Sequence, residues 1–248
     1  MARSSGGAGM NIAKPDAILF DMGGVLLESV DMWTEAGFEK SYPSGLPGGV
    51  SRAWFMDMSR DVLRRFEALP APRPAMDLRP IIAEWLPKAG IDATPERVEQ
   101  WYAVLGWWEV RPLYPFVRDA LMQVRAMGYR IGLISNTLLT SEYHRDLFRA
   151  AKIFDLFEYM VFSAEFGWNK PDPRIFRAAL DRMGLEPARA WYVGDKPHRD
   201  VCGAHEVGMT AVLVDGPYEH RTNDSAAHVP DVRIRDIAEL PETLARAL

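Results

Sequence analysis

The sequence predicts an α/β fold, a doubly wound parallel sheet joined to a second, smaller all-helical domain. Three observations carry that expectation. After Arg111, short apolar runs alternate with amphipathic helical segments, a rhythm that calls for right-handed crossovers and a sheet covered on both faces. An isolated apolar run, DAILFDMGGVLL from Asp16 to Leu27, breaks at Gly23–Gly24 far upstream of that alternation. Between the two, residues 31–110 show helical periodicity and no strand pattern.

Taken in order, residues 1–13 are small, polar and glycine-rich and are expected to be a disordered N-terminus or tag, with Met10 as an alternative start. Asp16 to Leu27 reads as a buried strand entering a tight turn. In the insertion of about 80 residues, Ser51 caps a helix in which Trp54, Phe55, Met58, Val62 and Phe66 recur at helical spacing. RPIIAEWLPKAG is a second helix, and Thr94–Pro95 opens a third, RVEQWYAVLGWW. Pro/Gly clusters at Tyr42–Gly49 and Leu69–Pro74 separate these pieces. Downstream, Phe116 to Met127 is a helix stopped by Gly128, YRIGLIS a strand, TSEYHRDLFRAAKI a helix and MVFSAE a strand. PDPRIFRAALDRMG is then a helix, AWYVGD a strand, RDVCGAHEVGM a short helix and TAVLVDG a strand. The α/β core therefore comprises residues 14–30 and 111–248, interrupted by the helical insertion 31–110.

Composition narrows the function. With 29 basic against 34 acidic residues the formal charge is −5, so no overall basic field attracts a nucleic acid. One cysteine, Cys202, cannot form an intramolecular disulfide, which fits a reducing cytoplasmic setting. No apolar run approaches the roughly 18 residues needed to span a bilayer, so no membrane role is expected.

In an open parallel sheet the ligand crevice lies beyond the C-terminal strand ends. Four apolar runs are followed there by reactive side chains: Asp21 after AILF, Ser135 after IGLI, Lys170 beyond MVFSAEFG, and Asp195 after WYVG. Two carboxylates, a hydroxyl and an ammonium brought to one edge suit a phosphoryl group. An aspartate can attack phosphorus, a divalent cation can offset the meeting of two anions, and the lysine and hydroxyl can hold the equatorial oxygens.

Asp21-x-Gly-Gly-Val25, Ser135–Asn136, Asn169–Lys170–Pro171, and Gly194–Asp195 with Asp200 five residues on resemble, in that order, the four motifs of the haloacid dehalogenase (HAD) superfamily. LISN, NKPDPRIF and VGDKPHRDVCGAHEVGM extend the likeness, which spans Asp16 to about Val214 outside the insertion. The insertion after the first motif resembles the helical cap of the subfamily that places its cap there. The resemblance implies a HAD-like Rossmannoid core and the following roles. Asp21 would be the nucleophile forming an aspartyl-phosphate. Ser135 would hydrogen-bond the transferring phosphoryl, with Asn136 and the Gly24 backbone helping to bind substrate. Lys170 would stabilise both Asp21 and the phosphoryl charge. Mg²⁺ would be held by Asp21, the Gly23 carbonyl, Asp195 and Asp200; all-oxygen ligands suit this hard cation independently of the family.

The departure is Gly23, where phosphatases of the family carry a second aspartate that protonates the leaving oxygen and activates water. Acid–base catalysis, worth about 10²–10⁴-fold, then needs another source, such as a cap residue, Glu28, His198 or the substrate itself. The leading expectation is a Mg²⁺-dependent phosphatase of a small phosphorylated metabolite. A 2-haloacid dehalogenase, which would carry an aromatic residue at Gly23 and need no metal, and a catalytically impaired HAD-like binding protein are the alternatives. Monomer and homodimer are both left open.

Singly, each of these residues has a structural explanation: Asp21 as a turn residue, Ser135–Asn136 as a helix cap, Asp195 and Asp200 as favourable charges at a helix start. Their joint order favours chemistry. Trp54, Trp85, Trp101, Trp107 and Trp108 are expected to form the insertion's core, with Arg60, Arg64 or Arg65 available to face the crevice. Cys202 reads as a packed residue, and the five histidines show no zinc-like spacing.

Overall fold

The computed structural model describes residues 13–28, 39, 46–71, 73–138, 141–215 and 228–246. Six parallel strands form one sheet in the order β3-β2-β1-β4-β5-β6: β1 Ala17–Phe20, β2 Arg130–Ser135, β3 Tyr159–Phe162, β4 Ala190–Gly194, β5 Thr210–Val214 and β6 Val232–Ile234. The order reverses at β1, so the first strand sits between β2 and β4, where a doubly wound sheet opens its crevice. Phe20 pairs with Leu133 on one side and Val193 on the other. Asp21 therefore leaves the sheet level with Ile134 and Gly194.

The strands are continuous apolar runs because both faces are covered. Side chains alternate across a strand. Ile18 and Phe20 enter one layer with Val117, Leu121 and Val124 of α4 (Val117–Ala126); Ala17 and Leu19 enter the other with Ile175, Phe176 and Leu180 of α7 (Pro173–Met183). All four β1 side chains are buried, each large one contributing about 1.5–3 kcal/mol of transfer free energy.

Three helices of the insertion are described from end to end: α1 Arg52–Glu67, α2 Arg79–Trp85 and α3 Pro95–Glu109. Ser51 Oγ accepts from the Trp54 N–H at 3.1 Å, and the Thr94 hydroxyl accepts from Arg97 N–H at 3.4 Å ahead of Pro95, as the sequence leads one to expect. Their inward faces share a separate apolar cluster that includes Phe55, Met58, Val62, Ile82, Leu86 and Trp101. Trp54 packs on Trp85 and Trp101, while the Trp107 and Trp108 side chains lie outside the described residues. This layer rests on the sheet's crevice edge: Leu138, just past β2, joins the helical cluster, and its N–H donates to Glu109 Oε1 at 2.8 Å. No described helix is long and apolar enough to cross a membrane.

Several elements differ from expectation. MVFSAE is half strand: β3 stops at Phe162, and Ser163–Phe166 form the short helix α6. The Ser163 hydroxyl accepts from Thr137 N–H at 2.9 Å and donates to Thr137 carbonyl at 3.0 Å, tying the loop after β2 to that turn. Between β2 and β3, α5 spans Glu142–Ala150. RDVCGAHEVGM begins earlier, as a π-helical turn at Pro197–Val201, before α8 at Cys202–Val207. The three-residue β6 and the C-terminal helix α9, Leu240–Arg246, had no expectation, because so short a strand shows no readable period. Ala13, placed with the tail, is already held: its carbonyl accepts from Trp191 Nε1 at 3.1 Å. Residues 1–12 and the turn cluster from Tyr42 to Gly45 lie outside the described residues.

Candidate active site

Asp21 follows β1 directly and is only 2% exposed. Its Oδ1 accepts from the Met22 N–H at 2.7 Å and from Lys170 Nζ at 2.8 Å. Lys170 comes from the loop after α6, and its ammonium also reaches Asp200 Oδ1 at 2.9 Å and the Tyr192 hydroxyl at 2.6 Å. Tyr192 in turn donates to the Ile134 carbonyl at 3.0 Å, so a residue of β4 braces the lysine against β2.

Asp195 follows β4, and Asp200 sits on the π-helical turn. The Asp200 Oδ2 accepts backbone N–H bonds from Asp195 at 3.2 Å and Lys196 at 2.9 Å, which fixes its carboxylate toward the crevice. One oxygen from each of Asp21, Asp195 and Asp200 can be chosen so that all lie within 4.8 Å of one another. The strand-end carboxylates Asp21 and Asp195 and the Asp200 carboxylate of the following turn lie together.

Burial pushes the Asp195 carboxyl up to about 6, with the neighbouring Asp21 and Asp200 charges adding to the effect and Arg199 and Lys196 opposing it. Burial acts the same way on Asp200, but Arg199 and Lys170 outweigh it and hold that carboxyl below its ordinary range. The asymmetry follows from the contacts. Lys170 touches Asp21 and Asp200, whereas Asp195 is paired at 3.3–3.4 Å with Lys196 and Arg199.

A buried set of three hard oxygen donors fits Mg²⁺ on its own chemistry. Charge counting points the same way. Asp21, Asp195 and Asp200 are balanced by Lys170, Lys196 and Arg199. A dianionic phosphate monoester entering this balanced site requires further positive charge.

The two motif glycines do different things. Gly24 has φ +82, and a Cβ there would come within 2.3 Å of Asp195 Oδ2. It is bare because the Asp195 carboxylate packs against its backbone. Gly23 has no heavy atom within 4 Å of the corresponding Cβ position, so open space adjoins Asp21. Ser135 ends β2, buried, with its hydroxyl donating weakly to the Asn136 carbonyl at 3.4 Å. The Asn136 amide, expected at the substrate, is turned to the Lys170 backbone instead. Its Oδ1 accepts from Lys170 N–H at 2.7 Å and its Nδ2 donates to the Lys170 carbonyl at 3.2 Å. It positions the lysine loop.

That loop is also held by the insertion. Asn169 N–H donates to the Arg73 carbonyl at 3.1 Å, Asn169 Nδ2 to the Pro74 carbonyl at 2.9 Å, and Ala75 N–H to the Gly167 carbonyl at 2.9 Å. Glu28 and His198, candidates for the missing acid, are exposed, and neither bonds to Asp21 among the described residues. Arg60, Arg64 and Arg65 are paired with Asp57, Asp61 and Glu84 on the insertion's own surface. Sequence reasoning passed over Tyr192, which hides in an apolar strand, and Arg199, whose Nη2 bonds Asp21 Oδ2 at 2.5 Å. The only signal for Arg199 was its place between Asp195 and Asp200.

A family model described as haloacid dehalogenase-like hydrolase matches residues 15–208. Among curated proteins, a glyceraldehyde 3-phosphate phosphatase of Methanopyrus kandleri is 30% identical over 237 residues, covering 93% of this chain and 98% of that one. A phosphoserine phosphatase of Thermus thermophilus is 38% identical over 137 residues, 55% of this chain and 52% of the other. Among solved structures, a HAD phosphatase from Thermococcus onnurineus matches with TM-score 0.59 and 24% identity over 92% of this chain and 97% of its own. A 2-haloacid dehalogenase from Pseudomonas syringae pv. Tomato matches with TM-score 0.67 and 22% identity over 94% and 100%. At those identities the solved structures speak for the fold.

Proposed function

Because the chain belongs to the haloacid dehalogenase-like hydrolases, we propose that its strand-end cluster hydrolyses the phosphate ester of a small metabolite with Mg²⁺. The observation that carries this reading is Asp21 held 2.8 Å from a fully buried Lys170, within a cluster of three carboxylates. The curated relatives named as phosphatases of glyceraldehyde 3-phosphate and phosphoserine support the same class of substrate.

The Asp21 carboxylate attacks phosphorus, the ester P–O bond breaks, and the departing oxygen takes a proton from solvent water. Water then attacks the phosphorus of the aspartyl-phosphate, releasing inorganic phosphate and regenerating the carboxylate. Lys170 orients Asp21 and offsets charge on the phosphoryl oxygens. Ser135 lines the position beside it. Asp21, Asp195, Asp200 and the Gly23 carbonyl would hold Mg²⁺, which would supply positive charge for the phosphoryl dianion. The helices of 31–110 act as a cap, and their contacts through Arg73–Ala75 to Gly167–Asn169 couple cap position to the Lys170 loop. A metal-independent dehalogenase would give Asp195 and Asp200 no ion to hold, which favours the phosphatase. One cysteine and this metabolic chemistry suit a cytoplasmic enzyme.

A screen of metabolite phosphates, glyceraldehyde 3-phosphate and phosphoserine among them, tests the reading. Phosphate release with Mg²⁺ that stops in excess EDTA is the expected result. Binding of Mg²⁺ and substrate without turnover would replace it with a binding protein.

A further inference from the structure

Arg199 is the one cation among the described residues that touches all three carboxylates of the cluster. Its Nη2 lies 2.5 Å from Asp21 Oδ2, 3.3 Å from Asp200 Oδ2 and 3.4 Å from Asp195 Oδ1. A divalent ion shared by the same three side chains would compete with this guanidinium for their oxygens. We propose that Arg199 is a built-in counterion that holds the carboxylates until Mg²⁺ displaces it, and so sets the metal affinity of the site.

Two features make displacement feasible. The Arg199 side chain is 23% exposed, whereas that of Lys170 is 0% exposed. Part of the Arg199 side chain reaches the surface, whereas none of the Lys170 side chain does. Arg199 also stands on the π-helical turn Pro197–Val201, next to Asp200 but not supporting it alone. The Asp195 and Lys196 N–H groups hold the Asp200 carboxylate from the backbone, so the arginine can leave without carrying its neighbour away. Like-charge repulsion from an arriving divalent ion drives the exchange. The arginine thereby spares the free protein three crowded carboxylates and lowers its appetite for metal in proportion.

The inference rests on Asp21, Asp195 and Asp200 forming a Mg²⁺ site, and the test separates the two. Mg²⁺ is titrated calorimetrically, without substrate, into the full-length protein and its Arg199→Ala and Lys196→Gln variants, and each is melted in EDTA and in Mg²⁺. Arg199→Ala is expected to bind Mg²⁺ at least tenfold more tightly, to melt lower than wild type in EDTA, and to gain more from Mg²⁺. Lys196, whose ammonium pairs with Asp195 at 3.3 Å and with neither other carboxylate among the described contacts, is the control for general charge, and Lys196→Gln is expected to shift Kd less than about threefold. Arg199→Gln keeps most of the stem and serves if the alanine variant does not fold in EDTA. Wild-type binding with unchanged or weaker affinity in the Arg199 variants overturns the inference and leaves the metal reading standing. Equal tightening in Lys196→Gln also overturns it, since bulk charge then explains the effect. No Mg²⁺ binding by any of the proteins removes both.

Discussion

Lys170 Nζ stands 2.8 Å from Asp21 Oδ1, with both side chains all but sealed from water. The same ammonium lies 2.9 Å from Asp200 Oδ1, so one cation joins the tip of β1 to the turn that follows β4. Such a pairing contributes little as a surface contact would, but its removal leaves two carboxylates buried without it.

Lys170→Met is therefore expected to lose about 3–5 kcal/mol of stability as well as turnover. Urea unfolding reads the first and phosphate release the second. A variant as stable as wild type would mean that the lysine's buried pairing is not what the geometry indicates.

Asp21→Asn keeps the shape of the side chain and one oxygen for a metal, but not a nucleophile. Turnover should fall by about 10⁴-fold or more, with the circular dichroism spectrum unchanged and Mg²⁺ binding largely retained. Retention of most of the activity would remove Asp21 from the attacking role.

Open space beside Gly23 gives a gain-of-function prediction. Lacking an acid there, the enzyme should hydrolyse p-nitrophenyl phosphate, whose leaving group needs no proton, far faster than glycerol phosphate. A Cβ at Gly23 meets no heavy atom within 4 Å, and Gly23→Asp should raise alkyl phosphate turnover by about 10²-fold, with a smaller effect on the aryl ester. Equal rates on the two esters in wild type would contradict the premise.

His144, buried on α5 with its ring stacked on Phe162, has its pKa lowered to about 4, first by burial and further by the Arg145 charge, against the opposing influence of the Glu109 backbone. Below its unfolded pKa near 6.5 the unfolded chain takes up a proton that the folded ring refuses, so the contribution is complete above that pH and lost as pH falls toward 4. The loss is up to about 3 kcal/mol. Asp195, raised to about 6, acts with opposite sign, favouring the fold as pH falls from 6 toward its unfolded value of 3.8. The difference between wild type and His144→Phe in pH-dependent melts isolates the histidine. A difference that stays flat between pH 6.5 and 4 would refute the assignment.

Chain order carried much of the site. A polar residue directly after a buried apolar run has to emerge at the end of a strand, which is why Asp21, Ser135 and Asp195 were legible from their neighbours alone. Lys170 was legible only with the motifs around it, since a lysine before a proline in a loop is ordinarily just solvated. Asn136 illustrates the limit. Its position beside Ser135 was evident, yet whether its amide meets a ligand or the Lys170 backbone depends on how two loops from β2 and β3 approach each other.

What the sequence determined by itself was periodicity and order: which segments are strands, that they run parallel, and which carboxylates stand at their tips. Those follow from local patterns of apolar burial. Tertiary structure alone decided where Arg199 points, why Gly24 is bare, and that Tyr192 braces the lysine. An arginine on a turn meets similar local demands whether it faces water or three carboxylates. Only the approach of β1 to β4 puts those charges within its reach and makes the inward rotamer the favourable one.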